Sequence, residues 1–287
     1  MFTLRKLCLV VSTQRCIDSD ELEAEAKISD MTVSANLSRL PYESKYAGLQ
    51  EPVPGVVLPR LVLTIQETVG MDPAAVFQIL PGGVKNSSRF GSGVSYGGSS
   101  NECEIQLPPT ERGVGRRHFQ IAFQSSLQVY TVKDLGEGTG TFLKLTFPHR
   151  LSLPCIVSFG ESHMKVTVLE EEEGSGLEIA FLEGPKKDTT LYASFSRFTP
   201  ADSPIKVGRM ANATIRFDDS SLSRCQCSLL HQESTGWTVL DGDGSKLSTN
   251  GTWLFAEFPC DLQHGTIFKA AETLFKVTVE LEESGKD

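Results

Sequence analysis

Three short clusters in the C-terminal half of the chain hold side chains suited to gripping an anion. Gly208-Arg209 offers a guanidinium directly after a glycine, and Ser223-Arg224 sets a hydroxyl beside a second guanidinium. Ser248-Thr249-Asn250-Gly251-Thr252 adds hydroxyls on both sides of an amide. A guanidinium presents a planar fork of N–H donors, a hydroxyl donates to an oxygen, and an amide both donates and accepts. Asn-Gly alone is a strong tight-turn signal, because both residues tolerate positive φ. The hydroxyls around it exceed what a hairpin needs and suggest a loop that holds something.

The rest of the composition narrows what that can be. The chain has 287 residues and a net charge of −9. So acidic a molecule argues against a nucleic-acid surface, and any anion site must come from a local cluster of donors and not from the overall field. No apolar run approaches the ~20 residues that span a bilayer. The seven cysteines (8, 16, 103, 155, 225, 227, 260) are scattered. Cys225 and Cys227 share one face of a β-like segment, but no second pair or clustered histidines completes a zinc set, so no metal is expected. No nucleophile–histidine–acid set appears, and no cofactor is expected. Gly91 to Gly98 (GSGVSYGG) lacks the Gly-Lys-Ser/Thr end of a phosphate-binding P-loop and reads as a long loop. Asn212-Ala-Thr and Asn250-Gly-Thr match the glycosylation sequon, yet no secretory signal precedes them.

The elements that must position the three clusters are strands. From about residue 75, short β-rich runs alternate with Gly, Ser and Pro at hairpin spacing: 76–80, 119–123, 127–132, 142–147, 156–159 and 164–169. That is the pattern of an all-β sandwich. Residues 170–176 (EEEEGSG) form an acidic, glycine-bearing break, beyond which the pattern begins again. The two halves are repeats. Thr141-Phe142-Leu143 matches Thr252-Trp253-Leu254, Lys165-Val-Thr-Val matches Lys276-Val-Thr-Val, and Arg116-Arg117-His118 aligns with Arg224-Cys225-Gln226. Three more residues lie between Gln226 and Gly251 than between His118 and Gly140, a loop insertion in the second copy. The division expected is therefore an extension over 1–70, a first domain over 71–169, a linker over 170–176 and a second domain over 177–287. Within the extension, Asp18 to Lys27 has helix-forming composition. Its first 17 residues carry Arg5, Lys6 and Arg15 without an acid, faintly like a mitochondrial presequence.

In order, Gly-Arg, Ser-Arg and Thr-Asn-Gly-Thr resemble the motif set of the forkhead-associated (FHA) domain, a β-sandwich that binds phosphothreonine peptides through loops at one end. The resemblance covers about 177–280 closely and about 75–169 more weakly. It implies two tandem sandwiches of SMAD/FHA type, preceded by an irregular, partly helical N-terminal extension. It also implies that Arg209, Ser223, Arg224, Thr249 and Asn250 contact the phosphopeptide, while Gly208, Gln226, Gly251 and Thr252 brace the loops. A phosphothreonine brings nearly two negative charges and three acceptor oxygens, which those donors suit. Gln226 stands where the family has a histidine, so loop geometry is where this copy departs from the pattern.

The first copy departs further. Gly91-Ser92 is read here as the counterpart of Gly-Arg, with Gly115 for the serine and Gly138-Thr139-Gly140-Thr141 for Thr-Asn-Gly-Thr. Only Arg116, His118 and the closing Gly-Thr survive. His118 reads as a loop brace, in a copy that keeps the fold and has lost the pocket. The function expected is a non-enzymatic adaptor or scaffold that recognises phosphothreonine proteins through its second FHA domain, with no nucleic-acid partner and no membrane insertion. The alternative is a structural subunit of a large assembly, such as a ciliary axoneme or organelle complex, using the sandwiches as phosphorylation-independent docking blocks. A cytoplasmic location is expected, with cytoskeletal, ciliary or nuclear sites compatible and mitochondrial import a weaker alternative.

Overall fold

A computed structural model describes residues 9–12, 58–68, 71–72, 75–171, 174–196, 204–232 and 235–282. The helix expected at Asp18 to Lys27, and most of the 1–70 extension, lie outside the described residues. Among those described, all regular structure is strand, as the alternating patterns require.

In chain order the strands of the first half are β1 (Leu9–Ser12), β2 (Leu58–Glu67), β3 (Val76–Leu80), β4 (Gly83–Val84), β5 (Val94–Gly98), β6 (Ile105–Gln106), β7 (Phe119–Gln124), β8 (Val129–Asp134), β9 (Thr141–Lys144), β10 (His149–Arg150), β11 (Cys155–Phe159) and β12 (Ser162–Glu171). The second half adds β13 (Gly174–Glu183), β14 (Thr190–Ser196), β15 (Ile205–Gly208), β16 (Ile215–Arg216), β17 (Cys227–Gln232), β18 (Gly236–Asp241), β19 (Trp253–Phe255), β20 (Cys260–Leu262), β21 (Ile267–Ala270) and β22 (Thr273–Glu282).

These strands build one twelve-stranded sheet, ordered β1-β14-β13-β12-β11-β19-β9-β21-β22-β2-β3-β4, and two five-stranded sheets, β10-β18-β17-β15-β16 and β20-β8-β7-β5-β6. The long sheet is symmetric about the antiparallel β9–β19 pair, where Leu143 faces Leu254. On one side of that pair it packs over the first small sheet, on the other over the second. Two cores result, each of the close-packed kind that sandwich layers demand.

The cores do not follow the two repeats. One draws only on Leu145 to Leu254, with Val157, Phe159, Met164 and Val166 of the first repeat beside Ile205, Leu229, Trp237 and Val239 of the second. The other joins Leu61 to Leu143 with Ala256 to Val277. Each repeat thus gives its last strands to the other's sandwich. The division expected at 170–176 falls inside the β12–β13 hairpin, which pairs from His163↔Glu183 to Glu171↔Gly174 within a single core. The physical division lies at β9 and β19: residues 145–255 form one sandwich, inserted between 58–144 and 256–282, which form the other.

Aromatic contacts secure the exchange. Phe119 meets Phe268 and Phe275 edge-on, with ring centroids 5.5 and 5.9 Å apart. In the inserted sandwich Phe217 meets Phe159 at 5.5 Å and Phe181 at 5.8 Å. Each such pair contributes about 0.5–1.5 kcal/mol beyond its buried area. The buried Glu111 carboxylate adds a polar tie, accepting from the Glu272 N–H at 2.6 Å and the Thr273 hydroxyl at 2.9 Å.

Candidate functional site

At one end of the inserted sandwich, the turns after β15, before β17 and between β18 and β19 converge. β15 runs parallel to β16 and antiparallel to β17, which brings Gly208 against the Arg224 carbonyl. A side chain at 208 would collide with that carbonyl, so only glycine allows the approach. The Arg209 N–H then donates to the Ser223 carbonyl at 3.2 Å, and the Met210 N–H to that of Arg224 at 3.1 Å. Arg209 is thereby set beside Ser223. Its Nε donates to the Leu222 carbonyl at 2.8 Å. Both Arg209 and Arg224 are exposed, and neither forms an ion pair among the described residues.

Ser223 meets the third loop. Its hydroxyl accepts from the Thr249 N–H at 2.8 Å and lies 3.3 Å from the Thr249 hydroxyl. Asn250 is exposed, with its amide nitrogen 3.4 Å from the Ser221 carbonyl. Arg209, Ser223, Thr249 and Asn250 are thus brought together through contacts with residues 221–223, and Arg224 follows Ser223 in the same turn.

Behind them lies Gln226, 1% exposed. Its Oε1 accepts from the Ser223 N–H at 3.2 Å, and its Nε2 donates to the Gly251 carbonyl at 3.0 Å. The first copy holds the matching brace in a different residue. The buried His118 accepts from the Gly115 N–H at Nδ1 (3.1 Å) and faces the Gly140 carbonyl through Nε2 (3.0 Å), which fixes the tautomer with hydrogen on Nε2. Glutamine thus reproduces both bonds of the histidine: one to the N–H three residues upstream, one to the glycine carbonyl across the site. The departure at 226 therefore keeps both bracing bonds.

The sequence did not bring out two further braces. Asp241, buried at the end of β18, accepts from the Ser248 N–H at 2.9 Å, the Ser248 hydroxyl at 2.6 Å and the Thr252 hydroxyl at 2.6 Å. Its repeat counterpart, Asp134 after Thr131-Val132-Lys133, was the signal that could have found it. In the first copy, Thr141 Oγ1 and Asp134 Oδ2 make no such bond. Asp219 accepts from the Ser221 hydroxyl and N–H, which holds its carboxyl below the usual range and keeps it engaged within its own loop.

The first-copy site is closed. Gly98 is the true counterpart of Gly208: β5 pairs with β6 as β15 does with β16, and the Ser99 N–H donates to the Gly115 carbonyl as Arg209 does to Ser223. Gly98-Ser99 therefore replaces Gly-Arg, which corrects the placement at Gly91-Ser92; those two residues sit in the preceding loop. A side chain at Gly115 would run into the Glu137 backbone, and one at Gly138 into the His118 ring. The loops have moved into the space a serine and a threonine would occupy. Arg89 and Arg117 are engaged elsewhere, with Arg117 2.7 Å from Glu102 and Arg89 3.6 Å from Glu104.

Comparison with protein families matches the FHA domain at residues 94–160 and again at 205–270. Both matches cross the β9–β19 junction, so each follows a sequence repeat and not a folded sandwich. No curated protein matches the chain.

Proposed function

From the premise that this chain carries two FHA domains in tandem, we propose that it is a non-enzymatic adaptor that reads phosphothreonine through its second domain. FHA domains are in general phosphopeptide-binding interaction modules. The observation that carries the reading is the cluster of Arg209, Ser223, Arg224, Thr249 and Asn250, without carboxylate partners among the described residues and braced by Gln226. A phosphate there replaces the Ser223–Thr249 hydroxyl contact and takes donors from both guanidiniums. Asn250 is exposed beside them to bond the peptide main chain.

Titration against a phosphothreonine peptide library tests this. Arg209→Ala and Ser223→Ala each remove a hydrogen bond to a charged group, about 1.5–3 kcal/mol, so each should weaken binding about 10- to 150-fold. Absence of phosphorylation-dependent binding by the wild type sinks the proposal. The closed first site favours a second role for that sandwich, as a docking block within an assembly. Association that survives phosphatase treatment would assign the interaction to that block.

A further inference from the structure

Exchange of strands sets residues of the first repeat beside the phosphate loops of the second. Lys144 on β9 pairs with Trp253, the first residue of β19. Its aliphatic stem lies over Gly251, so close that a Cβ there would be 2.7 Å from Lys144 Cε. The ammonium lies 5.9 Å from the centre of the Trp253 ring, and Lys269 of β21 sits 4.8 Å from it. Trp253 is itself tied to the loop, its indole N–H 3.4 Å from the Asn250 carbonyl. Neither lysine forms an ion pair among the described residues. Lys269 is half-buried, and its pKa is lowered by desolvation against a smaller opposing pull from Glu272.

The closed copy supplies an internal control. Under the symmetry of the long sheet, Gly251, Trp253, Lys144 and Lys269 correspond to Gly140, Phe142, Phe255 and Ser158. A Cβ at Gly140 would be 3.1 Å from the Phe255 ring, where one at Gly251 would meet the Lys144 stem. At the Lys144/Phe255 position the neighbour is aromatic beside the closed loops and cationic beside the open ones, while Lys269 pairs with Phe142 and lies 5.3 Å from that ring as well as near Trp253. A lysine over an aromatic face that forms no ion pair among the described residues is a place for an added negative charge.

Building on the phosphothreonine reading above, we propose that Lys144, Lys269 and Trp253 form a second anion subsite, contributed by both repeats. It takes an acidic or second phosphorylated residue of the same peptide, a few residues from the phosphothreonine. The overall charge of −9 repels anionic peptides, so a gain from a second anion has to arise locally.

The test uses the full chain and three peptide sets: one phosphothreonine with neutral flanks, the same with Asp or Glu scanned through the flanking positions, and the same with a second phosphothreonine or phosphoserine scanned likewise. At some flanking position a second anion should tighten binding by about three- to ten-fold, an exposed-to-half-buried charge pair's worth. The ratio of doubly to singly anionic affinity should fall to about one in Lys144→Gln/Lys269→Gln. Emission from Trp253 should shift only with the doubly anionic peptides. The acidic and phosphorylated arms tell which anion the subsite prefers. If the singly phosphorylated peptide binds but no position gains, or the gain persists in the double variant, the subsite is refuted and the phosphothreonine reading stands. If no phosphothreonine peptide binds at all, both are refuted.

Discussion

Replacing Gln226 measures how far the binding loops depend on one buried brace. Gln226→Ala deprives the Ser223 N–H and the Gly251 carbonyl of their partner. A buried polar group left without a partner costs about 1–3 kcal/mol, and water reaches the Ser223 side of the site. The expected loss is therefore about 2–4 kcal/mol, or a fall in melting temperature of roughly 5–15 °C for a chain of this size. Gln226→His behaves differently. The first copy already shows an imidazole making both bonds from the equivalent position. That variant should melt within a few degrees of the wild type and keep its phosphopeptide affinity, whereas Gln226→Ala should lose affinity along with stability. Thermal unfolding and peptide titration of the three proteins settle the matter. Equal destabilisation by alanine and histidine would refute the idea that the two residues are interchangeable braces.

Residues 145–255, which contain the whole of one core, should fold alone with a cooperative melt; residues 177–287 should not, having lost Val157, Phe159, Met164 and Val166. Gly115→Ser/Gly138→Thr should destabilise the first site without creating phosphopeptide binding, because the Glu137 backbone and His118 occupy the space; calorimetric titration reads this. Burial raises the Cys155 thiol to about 12 and Cys260 to about 11, so at pH 8 both should react with iodoacetamide roughly a hundred-fold or more slower than an ordinary thiol, and speed up in denaturant. Burial lowers the pKa of His149 below 6.5, so the unfolded chain takes up that proton more readily. Stability from this group is complete above about pH 6.5 and declines as pH falls below it, a dependence that His149→Asn should flatten in urea titrations.

Much of the site could be read from residue order alone. Gly208-Arg209, Ser223-Arg224 and Thr249-Asn250-Gly251-Thr252 name a site because each needs a particular side chain at a particular turn. The counterpart of Gly208 could not be read that way. Two glycine–serine pairs, Gly91-Ser92 and Gly98-Ser99, lie upstream of Arg116, and only the Gly97↔Ile105 pairing chooses between them. Gln226 hid its equivalence to His118 because the match lies in reach and hydrogen-bond roles, not in residue type. The strand exchange left no trace for a related reason. Val157 and Phe159 present much the same apolar face as Phe268 and Ala270, so either set satisfies either core. Pattern specifies that a strand is half-buried and leaves its partner open.

The β2–β22 pair, in which Leu58 lies opposite Glu282, has a mechanical consequence. A load applied at residues 58 and 282 pulls on the two ends of one antiparallel ladder at the same edge. Its hydrogen bonds then break in succession instead of sharing the force in shear. The outer sandwich opens first under such a load. The inserted one stays slack until the β9–β19 pair, through which the chain enters and leaves it, gives way in the same manner. The loops that carry Arg209, Ser223 and Thr249 ride on the inserted body, so a tethered molecule can yield by the length of its outer sandwich, losing Lys269 from beside Trp253, before those loops are disturbed.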